Sequence, residues 1–192
     1  CGYSLIRSLG QGAIGPCFLV NDPENGEPLV LRILWPELAG RSKTRLAFLA
    51  DAARVQNLSL PGVISVKMAG SSGAVCYVVS RYVIGQSLAD WRSTNAGSLT
   101  WHHAARFVAR LATVLKAAHD FGIIHGNLKP SNIFLAGDKT VEFDQLADCD
   151  FRVAEMGLVK AILAIGRSAQ AGLPWPSPQY LPPEQTSTHV PT

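Results

Sequence analysis

Residues 123–135 read IIHGNLKPSNIFL, and this stretch decides how the rest of the chain is interpreted. Two apolar residues, Ile123 and Ile124, precede a polar segment, and a second apolar run covers 133–135. This order predicts a strand, a polar loop and another strand, which would hold reactive side chains on a rigid frame. The loop supplies an imidazole, two amides and an ammonium, from His125, Asn127, Asn132 and Lys129. That set suits an anionic ligand such as a nucleotide polyphosphate, but it lacks a carboxylate that could act as a general base.

The segment HGNLKPSN, residues 125–132, resembles the catalytic loop H-R-D-L-x-x-x-N of eukaryotic-type Ser/Thr protein kinases. The matching positions are His125, Leu128, Lys129, Pro130 and Asn132. Gly126 replaces the family's Arg, and Asn127 replaces the catalytic Asp. The resemblance implies that Asn127 and Lys129 occupy catalytic positions, and that Asn132 occupies a position that binds cofactor and metal. It is a resemblance to a kinase without its base.

A glycine-rich segment lies between two strand-like stretches, 3–9 and 17–21. It contains Gly10, Gly12 and Gly15 in a G-x-G-x-x-G pattern. In a dinucleotide-binding fingerprint this pattern would lead into a helix, whereas here it leads into a strand, as in the hairpin that covers the phosphates in kinases. The resemblance therefore assigns these three glycines to nucleotide binding. A hairpin without a ligand is the alternative.

The strand predicted over 29–34 resembles the V-A-I-K strand of the family, with Arg32 in the Lys position. The resemblance gives Arg32 a role in phosphate binding, although a planar guanidinium is bulkier than an ammonium. Residues 43–58 have helical spacing and resemble the regulatory helix, whose Glu would be replaced by Asp51. Two interpretations of Asp51 remain open: a pair with Arg32, or an ordinary surface position.

Two candidates compete for the metal-binding D-F-G motif. Glu155-Met156-Gly157-Leu158 follows a strand-like stretch and keeps the Gly, whereas Asp150-Phe151-Arg152 keeps the Asp and Phe. We prefer Glu155, because the strand pattern, the Gly and the Leu agree there. The resemblance then implies Glu155 and Asn132 as metal ligands, although Mg²⁺ tolerates misplaced ligands poorly.

The remaining segments also follow the family order. Apolar runs at 63–66 and 75–79 predict a hairpin, residues 81–88 resemble the hinge between the lobes, and Thr100 is a candidate cap for a helix over 101–120. Residues 178–185 resemble the A-P-E end of the activation segment, with Pro182 in the Ala position. We expect an α+β, kinase-like two-lobe fold. An antiparallel-sheet N-lobe with one regulatory helix would span residues 1–85, and a partial helical C-lobe residues 86–192.

Composition limits the functional classes. The chain of 192 residues is 47% hydrophobic and 16% charged, so it can bury a sizeable core. A net charge of +3 is too small to favour nucleic acid, and no apolar run approaches the roughly 20 residues of a membrane span. The four cysteines lack C-x-x-C spacing and predict reduced thiols in a cytoplasmic setting. The abrupt start at Cys1 and the end at Thr192 predict a truncated domain.

Three functions are compatible with these observations. The favoured hypothesis is a pseudokinase that acts by binding partner proteins, with ATP as a candidate ligand and Mg²⁺ disfavoured. The second is a weakly active ATP-dependent Ser/Thr protein kinase, in which positioning alone supplies catalysis. The third is a structural linker within a larger protein.

Overall fold

The computed structural model describes residues 2–56, 58–95, 97, 99–137, 141–163 and 178–180. The strands are β1 (Ser4–Gln11), β2 (Pro16–Asn21), β3 (Pro28–Ile33), β4 (Val66–Ser72), β5 (Val75–Arg81), β6 (Gly85–Ser87), β7 (Ile133–Ala136) and β8 (Phe151–Val153). The helices are α1 (Pro36–Ala39), α2 (Ser42–Gln56), α3 (Leu88–Thr94), α4 (Trp101–His119) and α5 (Lys160–Leu163). Short 3-10 turns cover Pro130–Asn132 and Pro178–Tyr180. The predicted α+β class is confirmed.

The N-terminal part is an antiparallel sheet of five strands in the order β1-β2-β3-β5-β4. Helix α2 packs on this sheet through β4 and β5, because Phe48, Ala52 and Val55 recur at helical spacing and are buried. The predicted helix over 43–58 is therefore present, with small differences at its ends.

The C-terminal part contains α4 and an antiparallel sheet in the order β6-β7-β8. Thr100 caps α4 as predicted, since its side chain accepts a hydrogen bond from the backbone N–H of His103. Phe107, Leu111 and Ala118 form the buried side of this helix. None of the helices in the described part of the chain is both long and apolar enough to cross a membrane.

The strand predicted at Ile123 and Ile124 is wrong. The Ile123 N–H donates to the Ala118 carbonyl, 3.0 Å away, so it completes the end of α4 instead of pairing with a strand. Ile123 is nevertheless buried in the core. The apolar pair thus anchors the start of the polar loop by packing, and the loop leads through the 3-10 turn into β7.

The run at 63–66 belongs mostly to the connection between α2 and β4, because β4 begins only at Val66. Val63 instead forms an isolated parallel bridge with Val153, and the Ile64 N–H donates to the Val153 carbonyl at 2.8 Å. These contacts tie the connection between α2 and β4 to β8. In sequence order the last strand of the larger sheet, β5, ends at Arg81, and the first strand of the smaller sheet, β6, begins at Gly85. The division of the chain into two lobes near residue 85 stays a prediction.

Candidate functional site

A cleft of about 470 Å³ lies between the two sheets. Its roof comes from β1, β2, β3 and the glycine-rich turn, and its floor comes from the polar loop and β7. Val30 and Phe134 are apolar lining residues from the roof and the floor. An apolar lining combined with a few polar groups is a common form of a small-molecule site.

The glycine-rich turn connects β1 to β2, and Gly12 and Gly15 line the cleft. The predicted site residue Gly10 belongs to β1 and is not among the lining residues. Gly15 has a φ of 155°, and a Cβ there would lie 1.8 Å from the Ile33 carbonyl oxygen. The turn therefore needs glycine at this position to keep its close approach to β3. Trp35 holds the Gly12 end of the turn, since its Nε1 donates to the Gly12 carbonyl at 3.0 Å.

Arg32 lies on β3 and forms an ion pair across the cleft with Glu155. Its Nε is 3.3 Å from Glu155 Oε1, and the two side chains are only 12% and 11% exposed. Its Nη1 also donates to the Oγ of Ser80, 3.2 Å away on β5. The guanidinium is thus held from two directions at the polar end of the cleft.

The polar loop directs two amide groups at the same carboxylate. Nδ2 of Asn127 is 3.4 Å and Nδ2 of Asn132 is 3.2 Å from Glu155 Oε2. Asn132 Nδ2 also donates to the Asn127 carbonyl at 2.9 Å, which fixes the loop on itself. Both asparagines are buried. Of the other predicted site residues, Lys129 lines the cleft.

His125 is buried beneath the loop and supports its shape. The Asn127 N–H donates to His125 Nδ1 at 3.2 Å, which requires that ring nitrogen to be unprotonated. Burial lowers the pKa of His125, although the charge of Glu155 and the carbonyl groups of His125 and Ala154 oppose the shift. The ring therefore acts here as a neutral structural group.

The backbone at Glu155 is unusual, because its φ is 60°. A non-glycine residue in this left-handed region is uncommon and tends to be found at functional sites. Met156 and Leu158, which follow, are buried. The Asp150 carboxylate instead pairs with the partly exposed Arg152 side chain near the start of β8. Of the two D-F-G candidates, Glu155 is the one whose carboxylate lies in the cleft.

Asp51 does not pair with Arg32. The carboxylate of Asp51 accepts a hydrogen bond from the Ala161 backbone, and its charged neighbours are Lys160 and Arg54. Burial raises the pKa of Asp51. Helix α2 thus contacts the start of α5 through Asp51, while the partner of Arg32 comes from a distant part of the sequence.

Several cleft residues were not predicted. Arg7, Leu9 and Gln11 lie at alternate positions of β1 and all line the cleft, which the alternation of strand side chains could have indicated. Cys17 is paired in register with Arg32 and lines the cleft beside it. Burial raises the pKa of the Cys17 thiol, and Arg32 opposes that shift. Ser80 is the next-to-last residue of β5, and no sequence signal linked it to Arg32. The segment resembling A-P-E, around Pro182, lies outside the described residues.

A small antiparallel sheet with helix α2 packed on it, above a helical part that carries a polar loop, defines a two-lobed kinase-like fold. A family profile for the protein kinase domain matches residues 3–190. The chain therefore belongs to the protein kinase domain family.

Individual relatives agree with this assignment. The chain is 29% identical over 183 residues to the serine/threonine-protein kinase Pkn2 of Myxococcus xanthus, and 29% identical over 188 residues to PknB of Mycobacterium tuberculosis. Each alignment covers 95% of this chain, but only 21% of Pkn2 and 28% of PknB.

The fold is similar to that of a solved structure, a double mutant of the PknI kinase domain of Mycobacterium tuberculosis. The TM-score is 0.73 at 21% identity, and the match covers 100% of this chain and 68% of that chain. A second PknI double mutant gives a TM-score of 0.68 at 22% identity, with 82% of this chain and 59% of that chain covered. These likenesses support the predicted fold, with its antiparallel-sheet N-lobe and partial helical C-lobe.

Proposed function

We propose that this kinase-fold domain is a pseudokinase that acts by binding partner proteins and retains a cleft for a nucleotide such as ATP. The observation that carries the proposal is the side chain at position 127. Its amide lies in the loop position where the family has a catalytic Asp, and it donates to Glu155. An amide bears no negative charge and does not accept the proton of a substrate hydroxyl. Loss of a general base typically lowers a rate by about 10²–10⁴.

The cleft supports nucleotide binding by the shape of its two ends. Val30 and Phe134 provide apolar lining that suits a planar base, as in other pockets for small ligands. The glycine-rich turn brings backbone at Gly12 and Gly15 to the cleft, where backbone amides can approach phosphates closely. Arg32 and Lys129 supply positive charge on the roof and the floor. We assign these residues and Asn132 to nucleotide binding as part of the proposal.

A second candidate is a weakly active Ser/Thr kinase, and one observation favours it. Glu155 Oε2 lies 3.4 Å from Asn127 Nδ2, so a carboxylate is present next to the position of the missing base. The relatives Pkn2 and PknB are named serine/threonine-protein kinases. Against this role, the same carboxylate already receives hydrogen bonds from Arg32, Asn127 and Asn132. These donors occupy the lone pairs with which the carboxylate would accept a substrate proton.

Phosphate transfer from labelled ATP to a generic protein substrate separates the two candidates. We expect no transfer by the full-length protein with Mg²⁺ or Mn²⁺, and none after Asn127→Asp alone. Lys129→Ala provides the background control. Transfer by the unmodified protein above that control would contradict the pseudokinase proposal, and its loss in Glu155→Gln would then assign the base to Glu155.

A further inference from the structure

The family implies a magnesium ion on the positions of Asn132 and Glu155, and the donor set here does not fit one. Mg²⁺ needs several oxygen atoms in near-octahedral geometry, usually with one or two carboxylates. In this cleft the groups that converge on Glu155 are N–H donors: Nε of Arg32 and Nδ2 of both Asn127 and Asn132. Each amide thus presents its nitrogen to the carboxylate. Within the described ranges, no three His, Cys, Asp or Glu side chains are grouped as metal ligands.

Arg32 takes the place of a cation beside this carboxylate. The guanidinium donates hydrogen bonds to Glu155 through Nε and to Ser80 through Nη1. Its Nη2 makes no hydrogen bond within the described part of the chain. A guanidinium held at two of its nitrogens is already oriented, so less side-chain entropy is lost when a third nitrogen binds a ligand. Its planar donors match the geometry of a phosphate group.

The charge of the cleft lining favours an anion that arrives without a metal. The charged side chains that line it are Arg7, Arg32, Arg81 and Lys129, against Asp90 and Glu155. Asp90 is partly engaged by Ser87, whose hydroxyl donates to it at 2.7 Å. Glu155 is engaged by Arg32. The lining therefore has an excess of positive charge, and positive groups in a cleft attract anionic ligands.

We propose that the cleft binds a nucleotide as its metal-free polyphosphate anion, and that Glu155 serves as the counter-ion of Arg32 instead of as a metal ligand. This inference rests on the proposed function only in that a nucleotide enters the cleft. It adds that divalent metal weakens binding. Metal neutralises phosphate charge that the cationic lining would otherwise attract, and the Glu155 carboxylate that it would meet already accepts hydrogen bonds from Arg32, Asn127 and Asn132.

The test compares ATP binding by the full-length protein in EDTA and in excess Mg²⁺, by calorimetry at fixed ionic strength. We expect the dissociation constant in Mg²⁺ to be larger by roughly tenfold. Adenosine, which carries no phosphate, should bind equally in both conditions. Tighter binding of ATP in Mg²⁺ than in EDTA would overturn the inference.

The substitution Glu155→Gln distinguishes the two roles of Glu155. If Glu155 is a counter-ion, Glu155→Gln removes a negative charge near the phosphates and should tighten ATP binding in EDTA by roughly tenfold. If it is a metal ligand, the same change should weaken ATP binding in Mg²⁺, and that result would contradict the proposal.

The double variant Arg32→Met, Glu155→Gln should bind ATP about tenfold more weakly than the single variant Glu155→Gln, because the double variant loses the charge-assisted contact between Arg32 and phosphate. Adenosine affinity should not change, which shows that the cleft remains folded. Arg92→Met is the matched control, since Arg92 is exposed on α3 and does not line the cleft.

The outcomes also separate this inference from the proposed function. Absence of ATP binding in both conditions would refute the inference and leave the proposed lack of catalysis intact. Phosphate transfer by the unmodified protein would refute the proposed function, whatever the metal dependence of binding.

Discussion

The Arg32–Glu155 pair gives a prediction about stability whose size follows from its burial. The perturbation is Arg32→Met, which keeps most of the side-chain length and removes the charge. The two side chains are only 12% and 11% exposed, and removing one partner of a buried pair typically costs about 3–5 kcal/mol. Here Glu155 keeps the amide donors of Asn127 and Asn132. We therefore expect a smaller loss of unfolding free energy, of about 2–3 kcal/mol.

A double-mutant cycle isolates the pair from the loss of packing. Glu155→Gln in the Arg32→Met background removes the unpaired charge and should restore about 1–2 kcal/mol. Pulse proteolysis in urea, read by mass spectrometry of peptides from this domain, measures the unfolding free energy within the full-length protein. The control is Arg106→Met, which breaks the pair with Asp148, whose side chains are 62% and 65% exposed. It should cost less than about 1 kcal/mol. A loss for Arg32→Met no larger than this control, or strictly additive effects of Arg32→Met and Glu155→Gln, would refute the reasoning.

Three further measurements test other parts of the structure. Burial lowers the pKa of His125 below its ordinary 6.5, so the unfolded chain binds a proton first as the pH falls. The free energy of unfolding should therefore decline below pH 6.5 by up to about 1.4 kcal/mol per pH unit. His125→Gln should flatten this slope, whereas the exposed control His119→Gln should not. Burial raises the pKa of Cys17, so alkylation of its thiol should be slow at neutral pH and accelerate as the pH rises. ATP bound in the cleft should slow this alkylation. An alkylation rate that ATP leaves unchanged would place the nucleotide elsewhere. Thr100→Ala removes the cap of α4 and should cost about 1 kcal/mol in urea unfolding, whereas no change would contradict the capping contact.

The elements that the sequence predicts well are those with strong local signals. Helix α4 has an apolar stripe and a threonine cap, and α2 has helical spacing over four turns, so both were placed within two residues of their ends. The strand prediction for 123–124 is wrong because apolar character alone does not distinguish a strand from the buried segment that follows a helix. The short helices α1 and α3 carry local start signals, since Pro36 begins α1 and the Ser87 side chain accepts from the Asp90 N–H at the start of α3. Neither is long enough to show an apolar stripe, and β6 has only three residues.

The residues of the cleft were largely predictable, but their partners were not. The family resemblance drew attention to Arg32, Asn127, Asn132 and Glu155, and the structure brings these four side chains together. Arg32 could have paired with Asp51 on chemical grounds. Its actual partner is 123 positions away, and such a pairing depends on how β3 and the segment after β8 meet across the cleft. Tertiary packing makes that choice, and no local sequence signal reports it.

The central claim is that the protein's own donors occupy the carboxylate on which metal-assisted phosphate transfer would depend. The most direct measurement is the NMR signal of the Arg32 Nε–H group, in the full-length protein labelled on arginine and assigned by its loss in Arg32→Lys. We predict a slowly exchanging, shifted signal that Glu155→Gln abolishes and that Mg²⁺ leaves unchanged, with or without ATP. A saturable shift of this signal by Mg²⁺ in the presence of ATP would show that the metal displaces Arg32 from Glu155, and would contradict the claim.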